Sequence, residues 1–344
     1  MKEALLKLRQ YLLNGVSFSI PFIACGGILI ATAIAFAPMT PAGPDFSNAP
    51  TLKLIMDIGV ASFTLMLPVL AGYIAYAMAS KPGLVPGFIG GYLAGTTNAG
   101  FLGAIVAGLL AGWMVNLVKK APVPAAIRPI MPILVIPIIS SLVVGVVMLL
   151  VVGQPIAAFM VFLGEGLRSL QQGNAVVLAL VLGTMVAFDM GGPINKAAFF
   201  FGAAMIKEGN LAVMGCVAAA ICTPPLGAAL ATFLRRSLWT EEQREAGKAA
   251  AAMGLIGITE GAIPLAAGDP LRVIPCLVAG SATASVIAML GGVGNHAPHG
   301  GLIVLPVIDH RWVYFLAIVA GALVTALTLI FVKTLAARKT ATAA

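Results

Sequence analysis

PGLVPGFIGGYLAGTTNAGFLGAIVAGLLAGWMVNLV (82–118) carries no charged residue between Lys81 and Lys119. As a single helix it would run about 55 Å at about 1.5 Å per residue, against a hydrocarbon core of about 30 Å. It has to fold back, as two short spans or as one span plus a half-helix. Small residues recur at every fourth position: Gly87, Gly91, Gly95, Ala99, Gly103, Ala107 and Ala111. In lipid, where dispersion replaces the hydrophobic effect as the packing force, such a ridge lets helix backbones approach closely. A ligand path lined by backbone is its other use.

The same lack of charge extends along the chain. Charge-free intervals at 10–44, 58–80, 129–164, 169–188, 209–234, 273–308 and 312–332 are each long enough to cross a bilayer. Among 344 residues 60% are apolar and 9% charged, and mean hydropathy is +1.05. A soluble domain has roughly 45–50% apolar and about 25% charged residues. The composition excludes disordered, collagenous, secreted disulfide-rich and nucleic-acid-binding proteins. It indicates an all-α polytopic membrane protein with roughly eight to ten transmembrane helices. Four cysteines, Cys25, Cys216, Cys222 and Cys276, lie in apolar stretches without ligand-like spacing and read as small core residues. No cleavable signal peptide is evident: the apolar stretch after MKEALLKLRQYLLNG runs too long and lacks a small-residue cleavage site.

Basic clusters fall at Lys2/Lys7/Arg9, Lys119/Lys120/Arg128, Arg235 to Lys248, and Lys333/Arg338/Lys339. The positive-inside rule puts all four, and both termini, in the cytoplasm, with an even number of spans. The Pro-rich loop PMTPAGPDFSNAP (38–50) suits the outside. RRSLWTEEQREAGK (235–248) holds seven charged residues, and Thr240 with Gln243 fits a capping box. It reads as a cytoplasmic amphipathic helix, either a plain solvated surface or a hinge linking two membrane halves.

Short apolar intervals at 197–206, 249–259 and 261–268 are bordered by Asp189, Lys196, Glu260, Asp269 and Arg272, with Gly191, Gly192, Pro193, Gly261, Pro264, Gly268 and Pro270 around them. Short arms around Gly/Pro breaks are the pattern of re-entrant hairpins and discontinuous helices, tolerated at membrane depth where they line a cavity or are buried in protein. A third break, GGVGNHAPHGG (291–301), holds His296 and His299. Broken backbone places free N–H and C=O groups beside polar side chains, as a sugar with many hydroxyls requires.

FDMGGPINKAAFFFG (188–202), GITEGAIPLAAGDPLRVIP (257–275) and NHAPHGGLIVLP (295–306) resemble the IIC components of fructose-family sugar phosphotransferase systems in bacteria. With the flanking spans, the resemblance covers nearly the whole chain. It implies a single IIC permease domain over 1–344, a homodimer of the glucose superfamily in the bacterial cytoplasmic (inner) membrane. Within it, 1–128 would be the scaffold and dimerisation half, 129–234 would carry the GGP break, and 249–333 would be the hairpin-containing transport half. The resemblance further implies that a phosphoryl group passes from phosphoenolpyruvate through enzyme I, HPr and IIA to a cysteine of IIB, and then to the sugar held by IIC. The chain has no room for IIA or IIB, none of its cysteines sits in a soluble phosphate-binding loop, and it lacks a P-loop. A separate phosphorylated IIB protein is therefore the expected donor, and no cofactor is expected.

Glu260 is the expected catalytic residue. A lone carboxylate in an apolar run pairs, protonates or binds something. It can accept sugar hydroxyls and act as general base for the hydroxyl that attacks the phosphocysteine. Its bland alternative is a bond to Arg272 or to backbone. Asp189, Asn195 and Lys196 either bond sugar and phosphoryl group or form a buried Asp189–Lys196 pair that shapes the break. Asp269 fits an N-cap before Pro270. Arg272, in that first turn, opposes the helix dipole and suggests an acidic partner or phosphate. Asn295, His296 and His299 are candidate sugar ligands, and two histidines without further ligands do not make a metal site.

Two rivals stay open on these residues. One is a secondary sugar transporter, proton-coupled through Glu260 or Asp189. The other is a membrane-embedded hydrolase using Asp189 and His299. A phosphotransferase permease delivers sugar phosphate, the secondary transporter delivers free sugar, and the hydrolase cleaves its substrate.

Overall fold

The computed structural model describes residues 2–40, 43–123 and 128–342. Thirteen α-helices account for most of them: α1 (Lys2–Phe36), α2 (Pro50–Ala79), α3 (Leu84–Thr96), α4 (Gly100–Val118), α5 (Ile136–Val147), α6 (Gly153–Gly173), α7 (Ala175–Phe188), α8 (Pro193–Lys207), α9 (Leu211–Leu234), α10 (Glu241–Ile256), α11 (Ile263–Ala267), α12 (Pro270–Leu290) and α13 (Arg311–Thr342). Extended structure among the described residues amounts to a two-residue ladder, Met39–Thr40 against Gly43–Pro44, and one isolated bridge, Asn295 to Ile308. Residues 41 and 42 of the loop expected outside the membrane fall beyond the described residues. Among the described residues, seven helical segments are long and apolar enough to cross a membrane, one of them the continuous run Arg128–Phe162 through α5 into α6, and α7 and Ile194–Ile206 of α8 are shorter apolar helices. The protein is an all-α, multi-pass membrane protein.

Contacts divide the chain into two compact units. The first comprises Met1–Gly26 and Ile58–Gly166. The charge-free run 82–118 folds back here as a 13-residue half-helix, α3, and a 19-residue span, α4. Their break sits where Asn98 and Gly100 take φ of 58° and 57°. The small-residue ridge serves packing. A Cβ on Gly87 would lie 2.7 Å from Gly72 Cα and on Gly91 2.5 Å from Leu67 O; on Gly108, beside the ridge on α4, it would lie 2.7 Å from Ala71 O. α3 and α4 can lie against α2 only without those side chains. Gly95 is the exception, its nearest neighbour being Leu67 Cδ1 at 3.6 Å. Polar side chains finish the unit: Asn14 donates to Tyr73 O (2.8 Å), Asn116 to Met78 O (3.0 Å), and Lys119 Nζ to Ala79 O (2.7 Å) at the end of α2. That last bond places a cation on an orphan helix carbonyl, where the dipole favours it.

The second unit comprises Gly27–Asp57 and Leu167–Ala344. Its axis is α9, 83% buried over its apolar window, with α7, α8, α10, α12 and α13 packed around it. α12 meets α9 through Ser281 Oγ donating to Ala220 O at 3.0 Å, and α7 where a Cβ on Gly183 would lie 2.7 Å from Ala282 Cα. The expected capping box forms: Gln243 N donates to Thr240 Oγ1 (3.3 Å) and Thr240 N to Gln243 Oε1 (3.2 Å). α10 therefore begins at Glu241, after a 3-10 turn at Arg236–Leu238, and runs past Lys248 to Ile256, with no proline before it ends at Gly257. The apolar interval 249–259 is thus mostly the second half of this charged helix.

Because the atom facing Gly91 is backbone and cannot swing aside, Gly91→Ala is expected to destabilise the detergent-purified protein by about 1–3 kcal/mol, the usual cost of overpacking. Gly95→Ala should stay within about 0.5 kcal/mol of wild type. Thermal unfolding of the two variants checks the pair.

Candidate functional site

α7 ends at Phe188, and the chain turns through Met190 and Gly191, with φ of 48° and 110°, before Pro193 opens α8. Proline suits a first helical position because its missing N–H is needed by nothing there. The next free donors are met by Asp189, whose Oδ2 accepts from Ile194 N (2.7 Å) and Oδ1 from Asn195 N (2.9 Å). Asp189 thus caps α8 from across the break, with its negative charge at the positive end of the helix dipole. A Cβ on Gly192 would lie 2.5 Å from Asp189 Oδ2, so only glycine lets the carboxylate fold over the turn. Asn195, 2% exposed, gives its Nδ2 to Val186 O at 2.6 Å and closes the last turn of α7.

Lys196 then points elsewhere. Its Nζ lies 3.0 Å from Glu260 Oε1, with the two side chains 8% and 9% exposed. The Asp189–Lys196 pair does not form, and neither does a Glu260–Arg272 bond. The amides of α8 already hold Asp189, and Arg272 pairs with Asp269 at 3.0 Å. Glu260 sits in a 3-10 turn, Thr259–Ala262, entered through Gly257 at φ 89°. That glycine closes α10 as a Schellman motif: Ile258 N donates to Met253 O (2.9 Å) and Gly257 N to Gly254 O (3.1 Å). On the other side of Glu260, a Cβ on Gly191 would collide with Oε1. The GGP turn and the ITEG turn, far apart in sequence, are thereby locked face to face around one carboxylate.

The 291–301 segment supports this arrangement from behind. His299 Nε2 donates to Ile256 O (2.8 Å), an orphan carbonyl at the end of α10, and a Cβ on Gly257 would collide with Gly300 O. Asn295 spends its amide on the segment itself, accepting from Ala297 N (3.0 Å) and donating to His299 O (2.8 Å). His296 turns away to Asp309, its Nε2 standing 3.1 and 3.2 Å from the two carboxylate oxygens. No metal-ligating cluster occurs among the described residues.

The nine residues singled out in the sequence therefore separate by environment. Lys196 and Glu260 form the buried charged centre. Asp189, Asn195, Asn295 and His299 hold backbone around it. His296 pairs with Asp309 at a more exposed spot. Asp269 occupies the N-cap of α12 but makes no side-chain cap bond, because Arg272 takes its carboxylate instead. Sequence reasoning missed Asp309, the partner of His296. It also missed Trp239, buried, with Lys333 Nζ 4.2 Å above its ring.

Removing the acceptor in Asp189→Ala is expected to cost about 1–2 kcal/mol of thermal stability, the range for a lost helix cap. Asp189→Asn, which keeps one acceptor oxygen, should lose less. Equal losses would mean the charge rather than the cap matters.

Comparison with known proteins places the chain in a family. Residues 13–280 match the family described as "Phosphotransferase system, EIIC". The chain is 44% identical over 328 residues to the "Fructose-like permease IIC component 2" of Escherichia coli, covering 95% of this chain and 91% of that one. It is 42% identical to the "PTS system fructose-specific EIIC component" of Haloferax volcanii, over 97% and 94% of the two chains. It is also 44% identical to the "PTS system fructose-specific EIIABC component" of Bacillus subtilis, over 94% of this chain and 52% of the relative. Matched across most of its length to the family and to relatives of its own size, the chain belongs to the phosphotransferase system EIIC family.

Proposed function

We propose that this chain is a sugar permease that binds and translocates a fructose-like sugar and presents it to a phosphorylated IIB protein. The observation that carries this reading is Glu260, a carboxylate 9% exposed at the meeting of two backbone breaks, in a chain matched over 95% and 97% of its length to fructose-like and fructose-specific IIC proteins. Membrane proteins retain such a buried carboxylate where it binds or moves something. Its oxygens accept sugar hydroxyls, and it serves as general base for the hydroxyl that receives the phosphoryl group. Asp189, Asn195, Asn295 and His299 act mainly by holding the broken backbone, whose free groups meet the remaining hydroxyls.

The name of the Bacillus subtilis relative joins A, B and C components, which supports a IIB donor for this chain. IIA, HPr and enzyme I would lie upstream of it. The basic clusters Lys2/Lys7/Arg9 and Lys333/Arg338/Lys339 favour cytoplasmic termini in the cytoplasmic membrane. A homodimer with its scaffold in 1–128 and its transport half in 249–333 completes the proposal. Asp269 and Arg272, paired at 3.0 Å, stand at the start of α12, where the free guanidinium nitrogens suit a phosphoryl group.

The test is fructose uptake into vesicles holding the purified protein, with and without phosphorylated IIB. Sugar phosphate should accumulate only with the partner. Glu260→Gln should lower phosphorylation by about 100-fold or more, the usual range for a general base, while sugar binding persists. Accumulation of free sugar on a proton gradient, without any partner, would overturn the proposal.

A further inference from the structure

A buried carboxylate in a membrane protein either carries a proton or meets a fixed cation. The choice has a consequence for transport, because a carboxylate that must be protonated to cross couples its cargo to protons. Here Lys196 Nζ stands 3.0 Å from Glu260 Oε1, both side chains being less than a tenth exposed. Among the described residues, the other ionisable groups near the pair are Asp189, at the end of α7, and His299, in the 291–301 segment. Neither replaces Lys196. Asp189 is itself an acid occupied by the amides of Ile194 and Asn195, and His299 Nε2 is committed to Ile256 O.

The contacts are also unequal across the carboxylate. Oε1 takes the lysine and is walled by Gly191, where a Cβ would collide with it. Oε2 makes no hydrogen bond to the described residues.

We propose that Lys196 is a positioning residue that neutralises Glu260 without a proton and fixes Oε1, leaving Oε2 ionised for a sugar hydroxyl, so that sugar binding and movement are independent of pH. This rests on the permease reading above. With both partners ionised the pair carries no net charge whichever way the site faces. Removing the lysine charge alone leaves the carboxylate to acquire a proton, and the variant should move a proton with each sugar.

The experiment compares wild type, Lys196→Met, Lys196→Arg, Glu260→Gln and the Lys196→Met/Glu260→Gln double variant as full-length protein. Fructose binding and vesicle exchange are measured between about pH 5.5 and 8 with a pH dye inside the vesicles. Thermal unfolding in detergent is measured over the same range. Wild type should be flat in all three, and Lys196→Arg should stay flat even where its affinity falls, because Arg keeps the charge but not the shape of Lys.

In Lys196→Met the buried carboxyl has no cation beside it, so burial favours its neutral form, and stability should be greatest in acid and decline as pH rises. Exchange should fall about tenfold per pH unit once Glu260 deprotonates. The double variant should be flat again, which separates Glu260 from Asp189 and His299. Should Lys196→Met fail to survive purification at neutral pH, the inference requires that acid or the second substitution recover it.

A pH-dependent wild type would overturn the inference. So would a Lys196→Met defect that is equal at every pH, or one that Glu260→Gln does not relieve. A wild type that neither binds nor exchanges fructose would instead sink the permease reading, and the unfolding profiles would still decide the role of the ion pair.

Discussion

One ion pair joins the two breaks. Lys196 and Glu260 are 64 residues apart in sequence and 3.0 Å apart in space, in surroundings that leave each less than a tenth exposed. Desolvating two such charges costs several kcal/mol each, and their attraction offsets this only with good geometry. Much of the surrounding structure can be understood as meeting that requirement. Gly191 at φ 110° removes the side chain that would strike Oε1. Gly257 at φ 89° ends α10 so that the chain enters the turn bearing Glu260. Asp189 fixes the start of α8, and with it the direction in which Lys196 leaves the helix.

The division of labour among the polar residues follows from hydrogen-bond saturation. A broken helix in an apolar medium exposes backbone groups that must find partners. Asp189, Asn195, Asn295 and His299 are those partners, each bonded to main-chain atoms of its own or a neighbouring break. Their chemistry resembles that of sugar ligands because both tasks need short polar side chains. The difference is whether the atoms are already spent. On that criterion Asp189, Asn195, Asn295 and His299 form the frame around the Lys196–Glu260 pair.

Much of this could be read in the sequence. The length of 82–118 against bilayer thickness required a fold-back, and Thr240 with Gln243 marked the start of α10. A lone carboxylate in an apolar run singled out Glu260. What failed was pairing. Asp189 and Lys196, separated by a GGP break, looked like natural partners on charge alone. Pro193 starts a new helix there, and its unpaired first-turn amides outcompete lysine for the carboxylate. Asp269 failed in the opposite sense, with a side chain three residues away competing for a capping carboxylate. Asp309 was invisible because its partner, His296, is brought to it only by the Asn295–Ile308 bridge. Such choices depend on which donors a fold leaves free, and charge spacing does not record that.

The central claim is that an ionised Glu260, held by Lys196, meets the sugar directly. Infrared difference spectroscopy of the membrane-reconstituted protein on fructose addition addresses this without requiring transport or a partner. The account requires a difference band from an ionised carboxylate, absent in Glu260→Gln, with no protonated carboxyl signal taking its place. A band from a protonated carboxyl that disappears in Glu260→Gln, or a fructose-induced spectrum unchanged by that substitution, would contradict it.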